Sequence, residues 1–293
     1  MRSRVLTLAM LFTVSDAFAS TAHYISASGT ATWAQSTVST SPASLTTANS
    51  SASAGDSVVL AGGTYPAAID PQNQGSSSTN RIVFAGASGN PTSAIVTAIN
   101  IRKSYVTVRW VRSTGSLNLM NNAYQDTSTY ATWALVLGCR IENDLTLQGA
   151  KDCMVYGNTI VESTNGSVVF EDDDAGRCYS MGLPTGHCTV ACERDTVRNN
   201  TISLGVIGYQ RVGLMLWGHT QHCVVDSNAI SGTFTPDGGS QSPTALWIAN
   251  SYSNSFTGNT WTFDATADAS GKAWYFMYLR DSSSSNVFTG EMF

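Results

Sequence analysis

The chain has 293 residues, only 12% of them charged, and a net charge of −5 at pH 7. This length can bury a sizeable core within one domain. The acidic balance and the absence of a basic stripe argue against nucleic acid as a ligand, so we expect no nucleic-acid partner.

The N-terminus has the three parts of a secretory signal peptide. A basic start (MRSR) precedes an apolar stretch over residues 6–14 and a small-x-small cleavage site (AFA) at 17–19. The apolar stretch is too short to span a membrane, and no later one is long enough. We therefore predict a signal peptide over 1–19, one mature domain over 20–293, no membrane span, and a secreted or periplasmic location.

The mature chain opens with a predicted strand in HYISASGT and then a short helix. Residues 43–54 form the helical stretch, which Gly55 is placed to end as a C′ glycine. An open solenoid coil exposes a strand edge. The helix is therefore predicted to cap the first coil.

An eight-residue pattern that places Asn before an apolar strand residue recurs along the second half of the chain. The copies are CMVYGNTI at 153–160, DTVRNNTI at 195–202, CVVDSNAI at 223–230, NSFTGNTW at 254–261 and NVFTGEMF at 286–293, with LVLGCRI at 135–141 as an upstream variant. Repeats 20–40 residues apart indicate a solenoid. Because the unit is rich in strand formers, the predicted fold is all-β, a single parallel β-helix.

The recurring asparagines are predicted to form a ladder of structural, not functional, residues. Coils of a β-helix lie about 4.8 Å apart, so equivalent side chains stack. Asn tolerates a left-handed bend, and its amide can bond the amides above and below. The predicted ladder consists of Asn158, Asn200, Asn228 and Asn259, with Cys139 and Glu291 in the same slot.

One strand of each coil alternates inward and outward side chains. The predicted inward pairs are Leu117/Leu119, Leu145/Leu147, Val168/Phe170, Leu214/Leu216, Leu246/Ile248 and Met277/Leu279. The predicted outward pairs are Asn118/Met120, Thr146/Gln148, Val169/Glu171, Met215/Trp217, Trp247/Ala249 and Tyr278/Arg280. Stacking joins the outward residues into one face, which is the candidate groove.

Insertions at 171–193 and 231–243, and a smaller one at 265–272, interrupt the coils. Long insertions on a rigid scaffold often carry function, and these could wall the groove.

Six cysteines in an exported chain permit disulfides. Within the first insertion, Cys178 could pair with Cys188 or with Cys192. Cys153 and Cys223 are separated by an intervening coil, which puts them about 9.6 Å apart, too far for a bridge. They are predicted to be small buried residues or partners of a loop cysteine.

Residues 54–112 carry a run of motifs: Gly-Asp, an apolar strand, Gly-Thr-Tyr, a polar loop, then an Ile-x-Phe strand. This run resembles the opening of secreted polysaccharide lyases of the chondroitinase B and alginate lyase type, in the pectate lyase-like superfamily. The resemblance implies a right-handed parallel β-helix and a polysaccharide partner. It concerns the scaffold rather than the chemistry.

The same resemblance places Arg280, in FMYLRD, where these lyases carry a catalytic Arg. The preceding strand, PTALWIANS, departs from the family because it offers neither the Lys nor the acidic metal ligands found there. Lys272 and His219 are the substitutes proposed for the base and acid that β-elimination requires. Arg211 is assigned to substrate binding.

Two further clusters are candidates. Glu171, Asp172, Asp173 and Asp174 could bind Ca²⁺ or act with Asp237 as paired glycosidase carboxylates, and a solvated acidic turn is the simpler interpretation. Trp217, Trp247 and Tyr278 could stack on sugar rings or on each other.

The predicted function is polysaccharide binding, with lyase cleavage of a uronic-acid glycan as its catalytic form. A non-catalytic adhesion or sugar-binding protein and a glycoside hydrolase are the alternatives. The final coil ends without a cap, so we expect either that an oligomer contact or a partner covers it or that the sequence is incomplete.

Overall fold

The computed structural model describes residues 21–120, 131–161, 168–171, 192–207, 212–234, 244–265, 275–280 and 283–293. The signal peptide predicted over 1–19 lies outside these ranges and stays a prediction. Within them, no helix combines the length and apolar character needed to cross a membrane.

Short strands make up most of the regular structure. The first nine in chain order are β1 Ala22–Ile25, β2 Ser57–Leu60, β3 Gly63–Thr64, β4 Ile82–Gly86, β5 Ala94–Val96, β6 Ile99–Ile101, β7 Val106–Arg109, β8 Arg112–Ser113 and β9 Leu117–Met120. The next eight are β10 Leu135–Leu137, β11 Arg140–Ile141, β12 Leu145–Gln148, β13 Met154–Tyr156, β14 Thr159–Val161, β15 Val168–Glu171, β16 Thr196–Arg198 and β17 Thr201–Ile207. The remainder are β18 Val212–Trp217, β19 Val224–Asp226, β20 Ala229–Phe234, β21 Thr244–Ala249, β22 Ser255–Thr257, β23 Thr260–Ala265, β24 Tyr275–Arg280 and β25 Val287–Thr289. A 3₁₀ helix at Ala34–Thr37 and helix α1 at Leu45–Ser51 lie between β1 and β2.

The strands stack into three parallel sheets. Sheet A runs β1-β2-β4-β7-β10-β13-β16-β19-β22-β25, sheet B runs β3-β5-β8-β11-β14-β17-β20-β23, and sheet C runs β6-β9-β12-β15-β18-β21-β24. Each coil visits A, then B, then C, and pairs with the next coil in parallel register. The chain is therefore a parallel β-helix, which confirms the predicted fold class.

The inward pairs predicted for sheet C form part of one continuous core. The fully buried members of these pairs are Leu117, Leu119, Leu145, Leu147, Val168, Phe170, Leu214, Leu216, Leu246 and Ile248. In β24, the last described strand of sheet C, Met277 and Leu279 keep the inward register, opposite Leu246 and Ile248. Leu279 is nevertheless 55% exposed, because no further coil of the described chain covers it.

The predicted N-terminal helix is present but shorter than 43–54. Helix α1 covers Leu45–Ser51, and the Ser44 side chain accepts a hydrogen bond from Thr47 N. Ser is a favoured N-cap residue because it satisfies one of the amides left open in the first turn. The helix ends at Ala52 rather than next to Gly55.

Helix α1 covers the first strand edge of sheet C, as a cap should. Asn49 Nδ2 donates to Ala68 O at 2.8 Å, and Asn49 Oδ1 accepts from Asp70 N at 3.1 Å. Between those two residues, Ile69 forms the first bridge to β6. The Asn49 side chain thus satisfies backbone groups that a further strand would otherwise bond.

The predicted Asn ladder is confirmed and runs without a break from Cys139 to Glu291. In each step a backbone N donates to the side chain one coil later: Cys139 N to Asn158 (2.7 Å), Asn158 N to Asn200 (2.8 Å), Asn200 N to Asn228 (2.9 Å), Asn228 N to Asn259 (2.9 Å) and Asn259 N to Glu291 (3.1 Å). Each of the four ladder asparagines also donates from its side-chain amide to a backbone carbonyl one coil earlier. The acceptors, in chain order, are Val136 O, Val155 O, Val197 O and Val225 O. The ladder therefore satisfies buried polar groups along the corner between sheets A and B.

The left-handed bend of this corner lies one residue before the ladder position. Positive φ values occur at Gly138 (58°), Gly157 (65°), Asn199 (55°), Ser227 (55°), Gly258 (60°) and Gly290 (64°). The expectation that the ladder asparagines themselves make the bend is therefore wrong. Their amides supply hydrogen bonds, while the preceding residue turns the chain.

A second ladder, which the sequence pattern did not reveal, follows the corner between sheets C and A. Cys223 N donates to Asn254 Oδ1 at 2.9 Å, and Asn254 N donates to Asn286 Oδ1 at 3.1 Å. Two coils before Asn254, the same slot holds Asp195, which accepts from Cys153 N at 2.8 Å. The slot holds Cys153, Asp195, Cys223, Asn254 and Asn286 on successive coils, so no one residue type fills it along the chain.

Candidate functional site

The outer face of sheet C carries two neighbouring columns of side chains that cross the coils. One column contains Asn118, Thr146, Val169, Met215, Trp247 and Tyr278. The second contains Met120 and Gln148 and, further along, Trp217, Ala249 and Arg280. Both columns become aromatic or cationic toward the C-terminal coils.

An aromatic cluster occupies the C-terminal end of the first column. Trp247 and Tyr278 pair across the strands, with ring centroids 5.5 Å apart in an edge-to-face arrangement. Tyr275 joins them, its ring 5.7 Å from that of Tyr278. Tyr275 and Tyr278 are both exposed, so two rings of the cluster face solvent beside Trp247.

Tyr275 is not among the predicted site residues. Met277 is predicted to point inward, and strict alternation along the strand would make Tyr275, two residues earlier, point inward as well. The strand pairing passes from Thr244–Tyr275 to Leu246–Met277. Between them Phe276 packs inside, edge-to-face with Trp261 at 5.5 Å. This departure from period two brings Tyr275 to the outer face.

Trp217 lies on the same face but not in line with Trp247. It pairs with Ala249, which in turn pairs with Arg280. Trp217 is therefore offset from the cluster by two residues along the strand, and it is 42% exposed. Ala249, between Trp217 and Arg280, is small and buried, so the second column has a depression between these two long side chains.

His219 and Arg280, two of the three predicted catalytic residues, do not lie on adjacent coils. His219 N donates to Asn250 O, so the coil of Asn250 separates it from Arg280. Two strand spacings amount to about 9.6 Å. Both side chains are exposed at the C-terminal ends of their strands, so they could contact one extended ligand at different points.

The remaining predicted site residues lie outside the described residues. Lys272, Arg211 and Asp237 fall in connections from sheet B to sheet C, whereas Asp172, Asp173 and Asp174 follow β15 and lead toward sheet A. Glu171 is placed in β15 by its backbone alone.

Some boundaries of the predicted insertions change. Ser231 to Phe234 belong to β20, Ala265 ends β23, and Cys192 already lies in a buried position at the next corner. Among the described residues, no group of three His, Cys, Asp or Glu side chains could hold a metal ion. Calcium binding by the acidic cluster stays a prediction.

Four cysteines are fully buried in the core: Cys139, Cys153, Cys192 and Cys223. Cys153 and Cys223 lie on either side of the Asp195 coil, as predicted, and neither forms a disulfide. Cys192 Sγ lies 3.0 Å from Leu147 O. Cys178 and Cys188 lie outside the described residues, so a disulfide between them stays a prediction.

The fold and this face define a parallel β-helix protein with an exposed aromatic surface. No family model and no curated protein matches the chain. Among solved structures it is similar to a mannuronic acid specific polysaccharide family 6 lyase from human gut microbiota. The identity is 13% and the TM-score 0.42, over 72% of this chain and 54% of that one.

It is also similar to a mutant of the PL6 family alginate lyase AlyGC, at 12% identity and a TM-score of 0.31, over 82% of this chain and 36% of the other. The chain therefore spans about half the length of the first structure and about a third of the second.

Proposed function

We propose that this protein binds a polysaccharide along the outer face of sheet C. The observation that carries the proposal is the aromatic cluster of Trp247, Tyr275 and Tyr278, whose two tyrosines are exposed. An exposed cluster of large aromatic side chains on a rigid sheet is typical of a binding surface. Aromatic rings offer flat apolar area together with a polar edge, which suits the faces of sugar rings.

The columns set the direction of the bound chain. Equivalent side chains on successive coils are about 4.8 Å apart, so a glycan laid across the strands meets one outward position per coil. Arg280 stands two residues from Tyr278 on the same strand and the same face. A sugar ring stacked on Tyr278 would therefore place its substituents close to a guanidinium group, which favours a uronic acid over a neutral sugar.

The catalytic form of the proposal is β-elimination at a uronic acid. Arg280 would neutralise the substrate carboxylate and so acidify the proton on C5. A base, for which Lys272 and His219 are the candidates, would remove that proton. The C4–O bond would break, C4 and C5 would become joined by a double bond, and an acid would protonate the departing oxygen.

The proposal is tested with purified mature protein on alginate, pectate, chondroitin and hyaluronan, with and without Ca²⁺. Binding is followed by retardation in polysaccharide gels, and cleavage by the ultraviolet absorbance of the unsaturated product. Trp247→Thr with Tyr278→Thr removes the rings, because Thr146 already occupies this column on another coil. We expect this double variant to weaken binding at least tenfold.

Trp133→Asn is the matched control. Trp133 is 46% exposed but lies at the corner between sheets C and A, at a positive φ that Asn tolerates. Equal loss in the control and the double variant would contradict the sheet C site. Unsaturated product that disappears in Arg280→Ala would support the lyase, new reducing ends without that absorbance would favour a hydrolase, and binding without cleavage would favour the non-catalytic protein.

A further inference from the structure

A second exposed aromatic and cationic surface lies away from sheet C, at the corner between sheets A and B. It consists of Arg109, Trp110, Arg112, Arg140 and Tyr156, and we call it the Trp110 corner. Trp110 is 36% exposed and Tyr156 is 42% exposed. Neither residue has a part in the site proposed above.

Trp110 occupies a backbone position that disfavours a large side chain. Its φ is 57°, and the next residues in the same corner row are Gly138 and Gly157, also at positive φ. Glycine adopts this conformation without the steric cost that a residue with a Cβ incurs. Trp110 therefore presents an exposed indole at a corner position that glycine fills on the next two coils.

The glycines leave room beside the indole. A Cβ atom on Gly138 would approach Trp110 Cδ1 to 3.1 Å, so the ring lies across that coil. A Cβ atom on Gly157 would meet no atom within 4 Å. Trp110, Gly138 and Gly157 therefore form an open shelf on three successive coils, which runs from the indole to the coil of Tyr156.

Guanidinium groups surround the shelf on both sheets. Arg109 lies over the Trp110 ring, its Cζ 4.5 Å from the centroid. On sheet B, Arg112 and Arg140 pair across the strands and share one carboxylate, Glu142, at 2.8 Å each. Both arginine side chains remain about a third exposed. The two arginines carry two positive charges, and Glu142 supplies one negative charge.

The charge of this region is opposite to that of the whole chain. The corner itself carries three arginines, Arg109, Arg112 and Arg140, against one carboxylate, Glu142. Beyond Tyr156, Arg198 pairs with Asp226 at 2.8 Å and adds no net charge. The local excess attracts an anionic ligand despite the net charge of −5.

We propose that the Trp110 corner is a second binding site, separate from sheet C, for a carboxylate-bearing polysaccharide. The exposed indole and Tyr156 provide stacking area, and the arginines provide bonds to carboxylates spaced along the chain. The modest excess of cations suits a glycan with one carboxylate per sugar better than the dense phosphates of a nucleic acid. The proposal is independent of catalysis and of what sheet C binds.

The test measures affinity for polygalacturonate by calorimetry in the Trp247→Thr, Tyr278→Thr background, where the sheet C cluster is absent. We expect residual binding that weakens as salt rises. Trp110→Gly should weaken it at least tenfold without loss of thermal stability, because Gly is the residue of the same row on neighbouring coils. Arg112→Thr with Arg140→Thr should do the same, since Thr159 continues their column.

Trp133→Asn again serves as the control and should leave this residual affinity unchanged. The proposal is overturned if the background variant binds no polygalacturonate, or if Trp110→Gly and the arginine variant both bind within twofold of it. Equal affinity for neutral dextran, or tighter binding of single-stranded DNA, also overturns it. None of these results bears on the sheet C proposal, which is judged from Trp247→Thr and Tyr278→Thr in the otherwise unchanged chain.

Discussion

Asp195 stands in its coil where Asn254 stands two coils later, and each accepts a hydrogen bond from the backbone N of a cysteine. The distances are 2.8 Å from Cys153 N and 2.9 Å from Cys223 N. Asn254 also donates from Nδ2 to Thr220 O at 3.1 Å, whereas Asp195 Oδ2 is buried and has no hydrogen-bond partner among the described residues. Burial raises the pKa of Asp195 to about 8, so below that pH the carboxyl is protonated and can act as a donor in place of the amide.

Asp195→Asn is therefore expected to stabilise the protein, and more so at high pH. The folded pKa of Asp195 is raised, so the folded state holds a proton that the unfolded state has lost. The stability of the parent protein should then fall by up to about 1.4 kcal/mol per pH unit between about pH 4 and pH 8 and level off above that. Asn removes this slope, keeps the hydrogen bond from Cys153 N, and places an amide donor where Asp195 Oδ2 has no partner.

Urea unfolding at pH 4.5 and pH 8 measures the effect. The gain from Asp195→Asn should be small at the lower pH and reach several kcal/mol at the higher one. Asp226→Asn is the control, because that carboxylate is paired with Arg198 near the surface and should contribute about 0–1 kcal/mol. A gain for Asp195→Asn that does not depend on pH would contradict the buried, protonated carboxyl.

Asn200→Ala should destabilise the solenoid strongly. Asn200 Oδ1 accepts from Asn158 N, and its Nδ2 donates to Val155 O at 3.0 Å. Removing the amide leaves buried partners unsatisfied, at about 1–3 kcal/mol for each group, so we expect a loss of about 3–5 kcal/mol. Asn118→Ala, which breaks one hydrogen bond on the half-exposed outer face, should cost about 1 kcal/mol in the same unfolding assay. Equal losses for the two variants would argue against the ladder as a stabilising element.

The sequence predicted the first ladder because one residue type recurs in one slot. It did not predict the second, where Cys153, Asp195, Cys223 and Asn254 meet the same geometric need with different side chains. The outward position of Trp247 followed from alternation along its strand, but that of Tyr275 did not. Regular repeats determine the scaffold, whereas local changes of register and the chemistry of each corner depend on contacts between coils.

Tyr65→Phe tests the role of the Gly-Thr-Tyr motif in the scaffold. The Tyr65 hydroxyl lies 3.0 Å from Ile25 O and 2.8 Å from Ala61 O, and burial raises its pKa to about 12. Phe fills the same space but leaves Ala61 O without its donor, while Ile25 O still accepts from Ala61 N at 2.9 Å, so we expect a loss of about 1–3 kcal/mol. Tyr24→Phe, on the outer side of β1, should change stability by less than about 0.5 kcal/mol. An unchanged melting temperature for Tyr65→Phe would show that the motif is retained for another reason.

The buried cysteines should resist alkylation in the native protein. Burial raises the pKa of Cys139 to about 12 and raises the pKa values of Cys153 and Cys223 well above the ordinary range. Only the thiolate reacts, so iodoacetamide should label these residues only after unfolding. Thr201→Cys, exposed on sheet B, provides the positive control and should react at once.

Peptide mass mapping assigns the labels and also tests the predicted loop disulfide. The tryptic peptide 178–194 contains Cys178, Cys188 and Cys192. A disulfide within it would make the unreduced peptide lighter by the two thiol hydrogens and leave one cysteine to be labelled after unfolding. Because Cys192 is buried at the corner beside Leu147, we expect the pair to be Cys178 and Cys188. Native labelling of Cys139, Cys153 or Cys223 at the rate of Thr201→Cys would contradict the closed core on which the solenoid depends.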